Sequence, residues 1–202
     1  LTAFGEVRAS RRLELRARAA GTVVALHPAF VEGGQVAAGD LLVQVDPASA
    51  RAARERARAD LADAEAEARD AARGRDLAGA ELQAAERQAR LRAQALARQQ
   101  GLRDRGVGTD AAVETAELAA AAADQAVLSR RQALAQAETR LDTAQTRIAR
   151  ARIGLSEAER ELADTALHAA FDGTLSGVSL VEGGRVSVGE QLAELIDPGA
   201  LE

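Results

Sequence analysis

The feature that most constrains this chain is a repeat whose two copies lie near opposite ends of the sequence. The first copy contains Val31-Glu32-Gly33-Gly34-Gln35-Val36 and then Gly39-Asp40; the second contains Val181-Glu182-Gly183-Gly184-Arg185-Val186 and then Gly189-Glu190. Order and spacing agree over about 28 positions, with roughly 120 residues between the copies. Two β segments this short cannot each bury a core, so we expect them to pair into one compact sandwich.

The residues around the repeat have the pattern of strands. Leu13, Leu15 and Ala17 alternate with charged residues, which is the period-two signal of a half-buried strand. Short apolar runs and glycine-containing turns follow. We therefore predict an α+β chain in which residues 11–46 and 167–198 are the two halves of a β-sandwich, and residues 47–166 are helical.

The middle segment carries a heptad repeat. Counting by sevens from Val113 gives a large aliphatic residue in seven of eight places, and Ala fills six of the eight places that lie three residues later. This pattern is typical of a coiled-coil seam. The large members of the predicted seam are Val113, Val127, Leu134, Leu141, Ile148, Leu155 and Leu162. A weaker, Ala-rich seam runs from Ala57 to Leu96.

The helical segment is interrupted at Gly106-Val107-Gly108. Gly106 suits the left-handed residue that ends a helix, and Thr109 suits the residue that caps the next one. We predict one arm over residues 47–105, a tip turn at Gly106 and Gly108, and a second arm over residues 109–166. A turn this short makes the arms antiparallel neighbours, each roughly 85 Å long.

The composition excludes several classes of function. The chain has 202 residues and a net charge of −5, all its basic residues are Arg, and it has no Cys. The absence of Lys excludes Schiff-base chemistry and lysine-tethered cofactors, and the charge gives no attraction to nucleic acid. No apolar run reaches the roughly 20 residues that cross a bilayer. Because neither an initiating Met nor a signal peptide is present, we expect a piece of a longer protein.

Two half-motifs divided by a long α-hairpin resemble the periplasmic adaptor subunits of bacterial tripartite efflux pumps, also called membrane fusion proteins. The resemblance covers about residues 7–202 and implies a lipoyl-like (biotinyl-lipoyl) domain whose halves flank the hairpin. It also implies that residues 1–10 bring a strand from an adjoining β domain and that residues 199–202 begin a connection to a β-barrel. One departure is Ala169-Ala170 before Phe171, where the family commonly has Ala-Pro.

The resemblance extends to the hairpin tip. Family members use an Arg, a Leu four residues later and a Ser seven residues further to engage an outer-membrane channel; Arg98, Leu102 and Thr109 occupy these spacings, with Thr in place of Ser. A guanidinium, an apolar side chain and a hydroxyl can together bind backbone carbonyls and a small apolar groove. Each residue also has a purely structural interpretation, as a solvated charge, a seam residue and a helix cap.

The resemblance implies a non-enzymatic adaptor that bridges an inner-membrane transporter and an outer-membrane channel across the periplasm, attached to the inner membrane. It implies a homo-oligomer, with six copies as the expected ring. A transporter of the resistance-nodulation-division type is the first expectation, and an ATP-driven or major-facilitator exporter is the alternative. We expect no cofactor, no metal site and no nucleic-acid partner; His27 and His168 lack ligand spacing.

Two other classes of protein share part of the pattern. A lipoyl or biotin carrier has the same β motif, but it requires a modifiable lysine that this chain does not have. A structural coiled-coil protein has the same heptads, but it has no need of duplicated glycine-rich β segments at both ends.

Overall fold

The computed structural model describes residues 11–197, so the predicted outer segments at 1–10 and 199–202 lie outside the described residues. The described residues form two compact units, one made of residues 11–59 and 153–197 and the other of residues 60–152. The elements are β1 (Arg12–Arg16), β2 (Gly21–Leu26), β3 (Gln35–Val36), β4 (Leu41–Val45), α1 (Ala48–Asp104), α2 (Asp110–Asp164), β5 (Ala166–His168), β6 (Gly173–Ser176), β7 (Arg185–Val186) and β8 (Gln191–Ile196).

The strands form two four-stranded antiparallel sheets. One has the order β1-β8-β6-β3 and the other the order β5-β4-β2-β7. Replacing each strand by its counterpart in the other copy of the repeat converts the first order into the second. The predicted pairing of the two halves into one sandwich is therefore confirmed, and so is the α+β fold class.

Each sheet contains strands from both halves. β1 pairs with β8, β3 with β6, β2 with β7 and β4 with β5, and each of these pairs joins the first half to the second. Leu42, Leu175, Leu192 and Leu195 lie at the centre of the shared core and are fully buried. Burial of such side chains is the main source of stability in a domain of this size.

The helical segment begins and ends close to the predicted positions. A carboxylate oxygen of Asp46 accepts a hydrogen bond from the N–H of Ala48 at 3.0 Å, which is the expected cap of α1. At the other end, α2 stops at Asp164, two residues before the predicted limit of the arm. The physical reason is sheet pairing: Ala166 already pairs with Gln44 as part of β5.

In the unit of residues 60–152, burial follows the heptad frame. Val113 and Val127 are buried, and Leu134, Leu141 and Ile148 are half-buried. Ala64, Ala68, Ala123, Ala137 and Ala144 are also buried, so small side chains make up much of the contact between the helices. Three arginines occupy seam positions, and all three side chains extend to the exposed surface: Arg75, Arg92 and Arg130. Their long aliphatic stems permit this arrangement.

Ion pairs also connect the two helices. Arg130 contacts Glu81 at 2.9 Å, Arg131 contacts Glu86 at 3.2 Å, and Arg147 contacts Glu67. In each pair the carboxylate lies on α1 and the guanidinium on α2. Exposed pairs of this kind contribute at most about 1 kcal/mol each, so they indicate the register of the helices and add little to their stability.

Replacing Leu141 by Ala tests the seam. Leu141 is half-buried between the helices, and we expect the substitution to lower the free energy of unfolding by about 2–3 kcal/mol because packing contacts are lost. Leu118, on the same helix, is 66% exposed and provides the control. Chemical denaturation followed by circular dichroism measures both. Equal effects of Leu141→Ala and Leu118→Ala would contradict the frame.

Glu32, in the first copy of the repeat, forms hydrogen bonds with the end of β6 and the segment after it in the second half. Its carboxylate accepts a hydrogen bond from the hydroxyl of Ser176 at 2.8 Å and another from the N–H of Val178 at 3.3 Å. These bonds favour the charged form and lower the pKa of Glu32, with the Ser176 bond as the largest cause.

The lowered pKa of Glu32 predicts a contribution to stability that depends on pH. A carboxylate with a lowered pKa in the folded state stabilises the fold above the pKa of the unfolded chain, about 4.3, and the contribution is lost as the pH falls through the folded value. We therefore expect Glu32→Gln to reduce the loss of stability on acidification, as measured by melting temperature between pH 7 and pH 3. Glu182→Gln, at the equivalent place in the second copy, is the control, and an identical acid response in the two variants would contradict the role of Glu32.

Candidate functional site

The candidate site is the turn between the helices, and it begins with the way α1 ends. Gly106 adopts a φ of 77°, its N–H donates to the carbonyl of Arg103 at 2.8 Å, and the N–H of Val107 donates to the carbonyl of Leu102 at 3.1 Å. This pair of bonds is a Schellman motif, in which a left-handed glycine satisfies the last carbonyls of a helix. The positive φ explains why Gly stands at position 106.

Gly108 is required for a different reason. Its N–H donates to the carbonyl of Leu102 at 3.2 Å, which draws the turn back against the end of α1. A Cβ atom at position 108 would lie 2.6 Å from the backbone nitrogen of Arg103. Such a contact is impossible without movement of the main chain, so only Gly fits there.

Thr109 caps the second helix, as the sequence predicted. Its hydroxyl oxygen accepts a hydrogen bond from the N–H of Ala112 at 3.2 Å, and Asp110 follows in the first turn, where a negative charge is favoured. Because the hydroxyl accepts this bond, its own proton can still be donated to a partner. The capping role and a binding role are therefore compatible.

The backbone at Leu102 lies next to the turn that leads into Thr109, and Arg98 lies on α1 one helical turn farther from the tip. The carbonyl of Leu102 binds the N–H of Gly108, and Thr109 is the next residue. Arg98 precedes Leu102 by four positions, so the two side chains lie on the same side of the helix. Arg98 and Thr109 are exposed and Leu102 is half-buried. Within residues 11–197 the guanidinium of Arg98 makes no ion pair.

Two further residues at the tip were not identified from the sequence. Val107 is 74% exposed at the turn, which adds an apolar surface beside the predicted triplet. Arg105 donates from Nε to the carbonyl of Gly101 at 2.9 Å and so satisfies another carbonyl at the end of α1. The signal for Val107 was its position between two glycines, where no seam can cover it.

The side chains at the tip are of kinds that form hydrogen bonds and apolar contacts with a partner. Among residues 11–197 no group of three or more His, Asp or Glu side chains is placed to hold a metal ion. In the same range no helix is long and apolar enough to cross a membrane. An exposed guanidinium, a hydroxyl that can donate and two apolar side chains can together hold backbone carbonyls and a small apolar group.

The chain is similar in sequence to curated multidrug resistance proteins. It is 37% identical over 122 residues to multidrug resistance protein MdtA of Klebsiella pneumoniae, covering 58% of this chain and 28% of that protein. It is 42% identical over 62 residues to MdtA of Escherichia coli K12, covering 31% of this chain and 14% of that protein. The matches therefore span less than a third of these relatives' length. No family model matches the chain.

Two solved structures share the fold. MacA from Actinobacillus actinomycetemcomitans superposes with a TM-score of 0.68 at 20% identity, covering 96% of this chain and 52% of that chain. The soluble domain of LipC, a membrane fusion protein of a type I secretion system, superposes with a TM-score of 0.50 at 15% identity, covering 93% of this chain and all of that chain. The curated relatives and these neighbours confirm the resemblance to adaptor and membrane fusion proteins.

Replacing Gly108 by Ala tests the geometry of the tip. We expect the substitution to lower the melting temperature, because the new Cβ would overlap the backbone of Arg103. Gly79→Ala is the matched control: Gly79 lies inside α1 with no atom within 4 Å of an added Cβ, so Ala there should raise stability by about 0.5–1 kcal/mol. Two changes of the same sign would contradict the assignment of Gly108.

Proposed function

We propose that this chain is the hairpin and lipoyl-like part of a periplasmic adaptor, which links an inner-membrane transporter to an outer-membrane channel for the export of drugs or other small molecules. The observation that carries the proposal is a group of exposed polar and apolar side chains at the turn of a helical hairpin, where that hairpin is inserted in sequence between the halves of a duplicated β-sandwich. The sequence similarity of the chain to proteins named for multidrug resistance supports the assignment to drug export.

A resistance-nodulation-division transporter is the inner-membrane partner that we favour. The support is the sequence similarity to MdtA, which is named for multidrug resistance. The similarity to MacA and LipC is limited to the fold and so does not favour an ATP-driven exporter. We further propose that the protein works in the periplasm, attached to the inner membrane, as a ring of six copies without catalytic activity of its own.

Arg98, Leu102 and Thr109 are the proposed docking residues. The guanidinium of Arg98 has five donors in a planar fork, which suits the carbonyls at the end of a helix or turn in the channel. Leu102 would contribute an apolar contact and Thr109 a donated hydroxyl proton. The capping bond of Thr109 and the backbone bonds of Leu102 fix both residues before any partner arrives. Such preorganisation reduces the entropy lost on binding.

Substitution of Arg98 tests the proposal. Arg98→Asp should abolish export by the full-length protein while leaving helix content unchanged, because the side chain is exposed and has no ion pair among residues 11–197. Arg98→Lys retains the charge but loses the fork, and we expect it to weaken export only partly. Drug susceptibility of cells and cross-linking of the adaptor to its channel are the measurements.

The control is Arg73→Asp, which changes an exposed arginine on α1 away from the tip. Arg73 forms an ion pair with Asp70 at 2.9 Å, 25 positions before Arg98 on the same helix. Export by Arg73→Asp should therefore remain normal. Full drug resistance and full cross-linking in Arg98→Asp would remove Arg98 from the docking site.

A further inference from the structure

The part of the hairpin nearest the turn has its charges divided between the two helices. Residues 87–105, which form the last part of α1 and the residue after it, contain six Arg and one Asp. Residues 106–129, which form the turn and the first part of α2, contain four acidic residues and no Arg. Further along the hairpin both helices carry both signs. The division is therefore a property of the tip region, and the heptad frame shows which way each charge faces.

The ion pairs between the helices define two edges of the hairpin. In an antiparallel pair of helices, residues that flank the seam on one side meet their counterparts on the same side. Glu86 meets Arg131 at 3.2 Å on one side, which we call the first edge. Glu67 meets Arg147 on the opposite side, which we call the second edge. Every charged residue of the tip region can then be placed by its heptad position.

The first edge is acidic near the tip. The acidic residues of α2 recur there at intervals of three, four and seven, which keeps them on one side of the helix, and all of them are exposed. These residues are Asp110, Glu114, Glu117 and Asp124. The neighbouring side of α1 adds Arg90 and Asp104, whose charges cancel.

The second edge is basic near the tip. Arg98 of α1 lies there, with Arg105 one heptad later, just beyond the end of the helix, and both are exposed. The side of α2 that faces this edge has uncharged residues, among them Thr115, Ala122 and Ala126. The second edge of the tip region therefore has no carboxylate to neutralise its guanidinium groups.

An exposed leucine accompanies the charges on each edge. Leu91 is 65% exposed on the second edge, and Leu128 is 49% exposed on the first. Because Glu86 is opposite Arg131, Leu128 lies at about the height of residue 89, within one turn of Leu91. By the same register Glu117 lies near the height of Arg98, and Asp110 near that of Arg105.

We propose that the tip regions of neighbouring copies of this chain pack side by side, with the acidic first edge of one copy against the basic second edge of the next. This inference rests on the proposed function, in which several copies surround one channel. Copies related by rotation about an axis along the hairpin keep the same height, so Glu117 meets Arg98 and Leu128 meets Leu91. A contact between unlike edges is heterologous, which is the kind of contact that a closed ring of copies requires, and contact between like edges is opposed by repulsion.

Cysteine cross-linking tests which edges meet. The chain has no Cys, and the neighbouring residues Ala121 and Ala122 are both exposed on α2. Their heptad positions place Ala121 on the first edge and Ala122 on the second. Ala121→Cys and Ala122→Cys versions of the full-length protein, with different tags, are produced together with transporter and channel and treated with a short bis-maleimide. We expect the mixed 121–122 product to exceed each same-site product by about fivefold or more.

Charge reversal provides the second arm of the test. Glu114→Arg with Glu117→Arg should reduce the mixed product strongly, because two positive charges then lie at about the heights of Arg105 and Arg98. Replacing Arg105 by Glu in the copy that contributes its second edge should restore part of it. The yield from unaltered edges should also fall as ionic strength rises. Gln125→Cys, exposed on the outer side of α2, is the control that should give little product.

The outcomes separate this inference from the proposed function. Same-site products above the mixed product would overturn the pairing of unlike edges, and so would an absence of product in cells whose export is intact. Export and channel cross-linking are read separately through Arg98→Lys, which retains the charge of the second edge. A mixed product that survives the loss of channel docking would support the lateral contact and contradict only the docking site.

Discussion

The structure depends on strand pairs that form only between the two copies of the repeat. β1 requires β8, β3 requires β6, β2 requires β7 and β4 requires β5. A glycine opens an equivalent strand in each copy: Gly21 lies against Val45 and Gly173 against the end of β8, so closely that an added Cβ would be 2.7 Å and 2.6 Å from its neighbour. Neither half can complete a sheet alone, and the hairpin is tolerated as a long insertion because both of its ends belong to the same sandwich.

The helical unit of residues 60–152 is stabilised by side-chain packing and not by strand pairing. Its contact surface is narrow and rich in Ala, so the stability of the pair comes from many small contacts along two long helices. Little of each helix is used for the seam, and most charged residues remain in solvent. A thin seam leaves the turn and both edges exposed, and these are the surfaces where we propose that partners bind.

Sequence alone predicted the repeat, the seam frame and the residues that cap the helices, because each of these has a local or periodic signal. Asp46, Gly106 and Thr109 play the expected roles for reasons that hold in any helix. The pairing of strands from different halves within each sheet was not predicted, because alternation of apolar and polar residues identifies which face of a strand is buried and not which strand lies beside it. The crowding at Gly108 needed the geometry of the turn, and the sign of each edge needed the register of the two helices, which the ion pairs indicate.

The strand pairs between the two halves also lead us to expect an order of events in folding. Arg12 pairs with Ile196, so the sandwich cannot close until nearly the whole chain is present, whereas the hairpin can form from local contacts as soon as its turn exists. Val45 and Thr165 flank the two helices and lie at hydrogen-bond distance, 2.8 Å from nitrogen to oxygen. We therefore expect a folded hairpin to remove most of the loop-closure entropy from the pairing of distant strands. The helical insertion, which separates the two halves in sequence, would therefore hold their ends close together while the sandwich forms.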